Sequence, residues 1–169
     1  MENRIAQFEK VSFGQFLKDI KNSTTGYTEE EIQEIYDNIK LPQRATMGSA
    51  GYDFFTWDGF TFPHGKTVKL PTGIKVKIDE GWALKLYPRS SLGFKYKMQL
   101  NNTVGIIDSD YYYSDNEGHI WVKLTNNGDK AFYFDKGDAF IQGVFVPYGI
   151  TVDDEVTELR NGGFGSTNR

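Results

Sequence analysis

Residues 105–111 read G-I-I-D-S-D-Y, placing two carboxylates, Asp108 and Asp110, one residue apart and next to a tyrosine. In an extended chain both carboxylates share a face. Such a pair can hold a cation, or one member can act as a general base. The same residues also suit a solvated turn with Asx hydrogen bonds. A second set lies in P-R-S-S-L-G, residues 88–93. There Arg89 offers a fork of N–H donors, and Ser90 and Ser91 add hydroxyls and backbone N–H groups, a combination that suits a phosphate oxygen and equally a turn with a solvated arginine. A third is the small-residue loop at 45–51 running into Y-D-F-F, where Asp53 stands among aromatic rings. A carboxylate in that position is paired, at a strand edge, or reserved for a metal-bound water. G-G-F-G-S-T at 162–167 is glycine-rich but has no P-loop lysine. Its Phe164 suits closure over a planar base, and Ser166 and Thr167 suit phosphate. D-S-D-Y-Y-Y-S-D-N-E-G has the texture of a calcium loop without the glycine needed at its sixth position.

The totals narrow the classes of chemistry. The chain has 169 residues, 15% of them aromatic, and a net charge of −4 with no basic block. Long nucleic acid is therefore excluded as an expected partner. Cysteine is absent, which removes disulfides, thiol nucleophiles and thiolate-bound zinc. His64 and His119 are the only histidines, too few for a His-built metal site. The charged start M-E-N-R-I-A-Q-F-E-K has no apolar core, and no apolar run approaches membrane-spanning length. A cytoplasmic location is the expectation.

Elements must position these groups. R-I-A-Q-F-E-K-V at 4–11 reads as an early strand. Ser12 with Gln15, and Thr28 with Glu31, read as capping boxes opening two helices, with Phe16, Leu17 and Ile20, then Ile32, Ile35, Tyr36 and Ile39, at helical spacing. Pro42 ends the second helix. Beyond it come short Val-, Ile-, Tyr- and Phe-rich runs separated by turn signals such as D-G, P-T-G and D-K-G-D. That spacing predicts a mostly β, jelly-roll-like barrel forming one domain over 1–169. The last ten residues, 160–169, read as a flexible arm.

Taken in order, the Asp53 loop, P-R-S-S, G-I-I-D-S-D-Y, the Gln142 that follows a G-D turn, and G-G-F-G-S-T resemble the trimeric dUTP nucleotidohydrolase (dUTPase) family over about residues 42–167. The resemblance implies a jelly-roll-like homotrimer hydrolysing dUTP to dUMP and pyrophosphate with Mg²⁺ on the triphosphate. It implies that Asp108 activates the attacking water and that Tyr111 lies against the deoxyribose. A hairpin bearing Asn102, Gly105 and Ile107 would read uracil. Arg89, Ser90, Ser91 and Gln142 would hold phosphates, and Asp53 would anchor waters on Mg²⁺. In the arm, Arg160, Gly165, Ser166 and Thr167 would meet the ligand, with Phe164 stacked on the base.

Three departures accompany it: Ala139 where the family has Arg, one residue fewer between Arg160 and the paired glycines, and an insertion at Tyr112–Glu117. Together with the helical insertion at 12–40, these additions resemble phage-encoded members from Gram-positive hosts. Some of those bind bacterial repressors, so the exposed Tyr-rich loop suggests an alternative: a regulatory module docking a repressor-type protein. A dCTP deaminase on the same fold is the enzymatic rival.

Overall fold

The short β-branched and aromatic runs become antiparallel strands wherever Gly-bearing turns let the chain reverse. The computed structural model describes residues 4–160. The chain enters through β1 (Ala6–Lys10), passes through α1 (Phe13–Ser23) and α2 (Glu29–Asp37), and continues as β2 (Gln43–Arg44), β3 (Tyr52–Phe55), β4 (Phe60–Phe62), β5 (Thr67–Pro71), β6 (Ile74–Ile78) and β7 (Trp82–Pro88). Helix α3 (Ser90–Tyr96) precedes β8 (Met98–Leu100) and β9 (Gly105–Ile107). A 3-10 turn at Ser109–Tyr113 leads to β10 (Trp121–Asn126), β11 (Phe132–Phe134) and β12 (Ala139–Pro147).

The largest sheet runs β2-β3-β12-β7-β9; β5-β10-β8 forms a second, and β1–β6 and β4–β11 are pairs. The fold is jelly-roll-like, as the turn spacing predicts. Side chains of β10 alternate between core and surface, with Val122 and Leu124 buried and Lys123 exposed between them. Phe54, Leu84, Leu86, Ile107, Val122 and Phe140 meet in one core. Burial of each contributes about 1.5–3 kcal/mol relative to exposure.

Helices α1 and α2 extend that core, turning Phe16, Ile20, Ile32 and Ile35 inward. The α2 capping box closes in both directions: Thr28 N–H donates to Glu31 Oε2 at 2.7 Å and Glu31 N–H to Thr28 Oγ1 at 3.2 Å. The α1 box closes only halfway. Ser12 Oγ accepts from Gln15 N–H at 3.1 Å, but the Gln15 amide turns to Asp19. The helices meet the sheet over Gly73, which has φ +75; a Cβ there would stand 2.4 Å from Ile39 Cδ1. Only glycine meets both demands.

Candidate active site

The loop at 101–104 joins β8 to β9, and these strands belong to different sheets: β8 pairs with β10, and β9 with β7. The expected hairpin is therefore a crossing between sheets. Its residues Asn102 and Gly105 line a cavity of about 450 Å³ together with Leu86, Asn116 and Trp121. That volume suits a nucleoside-sized ligand. Ile107 is fully buried, so its side chain is core and only its backbone is free to meet a ligand.

Beyond β9 the chain does not stay extended. Asp108 caps the 3-10 turn, so Asp108 and Asp110 do not share a face by strand alternation, as the extended reading expected. They converge all the same on one cation. Arg160 Nη2 donates to Asp108 Oδ2 at 2.6 Å, and Arg160 Nε to Asp110 Oδ1 at 2.9 Å. Both carboxylates are half exposed. They border an open cleft of about 710 Å³ shared with Glu80, Tyr148 and Ile150.

Tyr111 is buried, with its hydroxyl donating to the His119 carbonyl at 2.8 Å and accepting from Asn116 Nδ2 at 2.9 Å. Burial raises its pKa, and Asn116 and the Arg160 charge only partly offset that. The Arg160 guanidinium stands 5.7 Å from its ring centroid.

The phosphate-type residues form a second group. Gln142 on β12 lies opposite Asp53 on β3 and Tyr87 on β7. Arg89 Nε stands 3.3 Å from Asp53 Oδ1. Ser90 and Ser91 are exposed in the first turn of α3. The two groups occupy opposite ends of the large sheet. Ile107 pairs with Leu84, so Asp108 falls one step further along, beside Ala83. From there to Tyr87 and Arg89 is four to six residues, or about 13–20 Å at strand rise. Along the backbone, Asp108 and Arg89 of one chain therefore stand far apart.

Among the described residues, no group of three or more His, Asp or Glu is arranged to hold a metal. Phe164, Gly165, Ser166 and Thr167 lie outside the described residues.

Sequence reasoning missed a network around residues 112–117. The expected exposed loop is largely packed, with Ser114 buried and only Tyr113 and Asp115 exposed. Tyr112 donates to Glu9 Oε2 at 2.9 Å, and Lys75 Nζ stands 4.8 Å from its ring. Glu117 accepts from Ser12 N–H at 2.8 Å and from Ser12 Oγ at 2.6 Å, filling the open half of the α1 box. Burial works against ionising Glu117, but those bonds, with Lys75 and His119 nearby, outweigh it and hold the carboxyl below its usual range.

His119 is wholly buried, and Asp19 on α1 lies 2.5 Å from its Nδ1. Gly73 N–H donates to Nε2 at 2.8 Å, so the Nδ1 proton faces Asp19. Burial opposes the charge on Asp19 too, but the hydrogen bonds from His119 and Gln15 hold its pKa down. A signal was present: an acid on the apolar stripe of α1, between Phe16 and Ile20, needs a buried partner.

The family model described as dUTPase matches residues 37–168. The deoxyuridine 5'-triphosphate nucleotidohydrolase of Lactococcus lactis is 41% identical over 142 residues, covering 81% of this chain and 95% of that protein. The crystal structure of the Streptococcus mutans dUTPase superposes with a TM-score of 0.62 at 32% identity, over 85% of this chain and 97% of that one. A variant dUTPase from phage phi11 of S. aureus, described with a structural Mg(II) ion, shares the fold with a TM-score of 0.63 at 19% identity, over 92% and 98% of the two chains.

Proposed function

This chain belongs to the dUTPase family and is a dUTP diphosphatase, and we propose how its own residues carry out the hydrolysis of dUTP to dUMP and pyrophosphate. The Asp108 carboxylate accepts a proton from a water aligned with the α-phosphorus. The water oxygen bonds to phosphorus as the bond to the bridging oxygen breaks. Pyrophosphate leaves, and the new oxygen stays on dUMP. Arg160 must first exchange its two carboxylate partners for phosphate oxygens, which offer the same paired acceptors. A positioned base supplies about 10²–10⁴-fold, and alignment and charge stabilisation supply the rest.

The cavity lined by Asn102 and Gly105 takes the nucleoside, with Tyr111 toward the sugar. Arg89, Ser90, Ser91 and Gln142 take phosphates, and so do Ser166 and Thr167, with Phe164 over the base and Gly165 beside it meeting the ligand. Asp53 is one carboxylate already shared with Arg89, a donor set that fits a cation carried mainly by phosphate oxygens and water. Mg²⁺ bound there would neutralise charge on the leaving pyrophosphate. The separation of Asp108 from Arg89 within a chain supports a homotrimer in which each site draws them from different subunits. The packed insertion does not favour the reading of a regulatory module docking through this loop.

The observation that supports the mechanism best is one short segment, 102–111. It lines a nucleoside-sized cavity at Asn102 and Gly105 and ends on a half-exposed carboxylate and a buried tyrosine. Pyrophosphate release measured on dUTP, UTP, dCTP and dTTP, with and without Mg²⁺, tests it. Asp108→Asn should keep dUTP affinity and lose about 10²–10⁴-fold in kcat. Near-normal turnover in that variant would remove Asp108 as the base.

A further inference from the structure

We propose that Asn116 is a positioning residue for dUTP binding, held in place by a brace that the insertion at 112–117 builds with β1 and α1; the proposal rests on the dUTPase reading above. Asn116 is part of the insertion, yet it lines the same cavity as Asn102 and Gly105. Its Nδ2 donates to the Tyr111 hydroxyl at 2.9 Å and to the His119 carbonyl at 3.3 Å, and its Oδ1 accepts from Gly118 N–H at 3.2 Å. The Tyr111 hydroxyl donates to the same carbonyl at 2.8 Å. Amide, hydroxyl and carbonyl thus close a triangle, and turning the tyrosine ring breaks two of its sides.

Three anchors fix the triangle to the N-terminal elements. The His119 ring is held between Asp19 of α1 and the Gly73 N–H. Glu117 is held by Ser12, the N-cap of α1. Tyr112 is held by Glu9 of β1. Gly118 lets the segment fold back: its φ is +72, and a Cβ there would stand 2.7 Å from Tyr112 Cα. The Tyr111 ring, which the proposed function turns toward the sugar, is therefore set by the insertion and the first helix as well as by the sheets.

An interaction of this kind acts on substrate binding before and during the chemical step alike, so its loss moves KM rather than kcat. In Asn116→Asp the shape is kept and the donor removed. We expect KM for dUTP to rise about tenfold with kcat within about threefold, and the preference in kcat/KM for dUTP over UTP to narrow by about tenfold. Ser12→Ala, remote from the cavity, should shift the same two quantities in the same direction by a smaller factor. It also provides the test should Asn116→Asp fail to fold. Variants that lose thermal stability while KM and the dUTP-to-UTP preference stay at wild-type values would overturn the brace. Wild-type protein in the same assay separates the two levels: no turnover of dUTP there overturns the functional reading, and turnover there with unchanged variants overturns only this proposal.

Discussion

A half-exposed carboxylate and a buried hydroxyl sit three residues apart, and their surroundings give them different work. Asp108 is open to water on one side and gripped by Arg160 on the other. Arg160 is largely covered while Asp108 stays half exposed, and phosphate oxygens would offer the guanidinium the same paired acceptors. Tyr111 is closed off, and burial raises its pKa further above the ordinary tyrosine value. Its proposed role is shape. Tyr111→Phe removes one donor from the His119 carbonyl and leaves Asn116 Nδ2 with that carbonyl at 3.3 Å. Thermal unfolding should show a loss of about 1–2 kcal/mol. An unchanged midpoint would mean that the triangle contributes nothing to stability.

Helix α1 does more than cover a sheet. Its capping box is open by itself and is completed by Glu117, a hundred residues downstream. Its Asp19 reaches into the core to hold His119. Both carboxyls titrate below their usual range in the folded chain. A lowered folded pKa means that the unfolded chain binds more protons in the interval between the two values. The stability these groups contribute is then complete above the ordinary carboxylate range and is lost as pH falls through the folded value. Glu117→Gln should lower the unfolding midpoint at neutral pH, and the gap from wild type should shrink as pH falls below the ordinary glutamate range. A gap that persists unchanged in acid would show that ionisation of Glu117 plays no part in the brace.

Across the whole molecule, strand register separates the proposed base from the residues proposed to hold phosphate. Asp108 follows β9 near the start of β7 and Arg89 follows the end of β7, about 20 Å further along the strand. The proposed homotrimer would bring the two together from different chains. Two variants inactive alone, Asp108→Asn and Arg89→Ala, should therefore regain activity when unfolded and refolded together. In a random equal mixture about a quarter of the sites would have both wild-type residues. Activity equal to the sum of the separately refolded variants would show that one chain supplies both groups.

The turn signals and alternating strands of residues 43–147 were legible because strand formation and sheet burial depend on local residue type and period. Asp108, Tyr111, Arg89 and Asp53 stood out for the same reason: each sits in a short motif whose chemistry is carried by neighbours in sequence. The helices were visible from their caps and their apolar spacing. Hidden from any local reading were the pairings across long loops: Ser12 with Glu117, Asp19 with His119, Tyr112 with Glu9, and the register that places Asp108 beside Ala83. Those partners are chosen by where the chain crosses from one sheet to the other. A buried acid needs a donor, but its sequence position does not say which element will bring one.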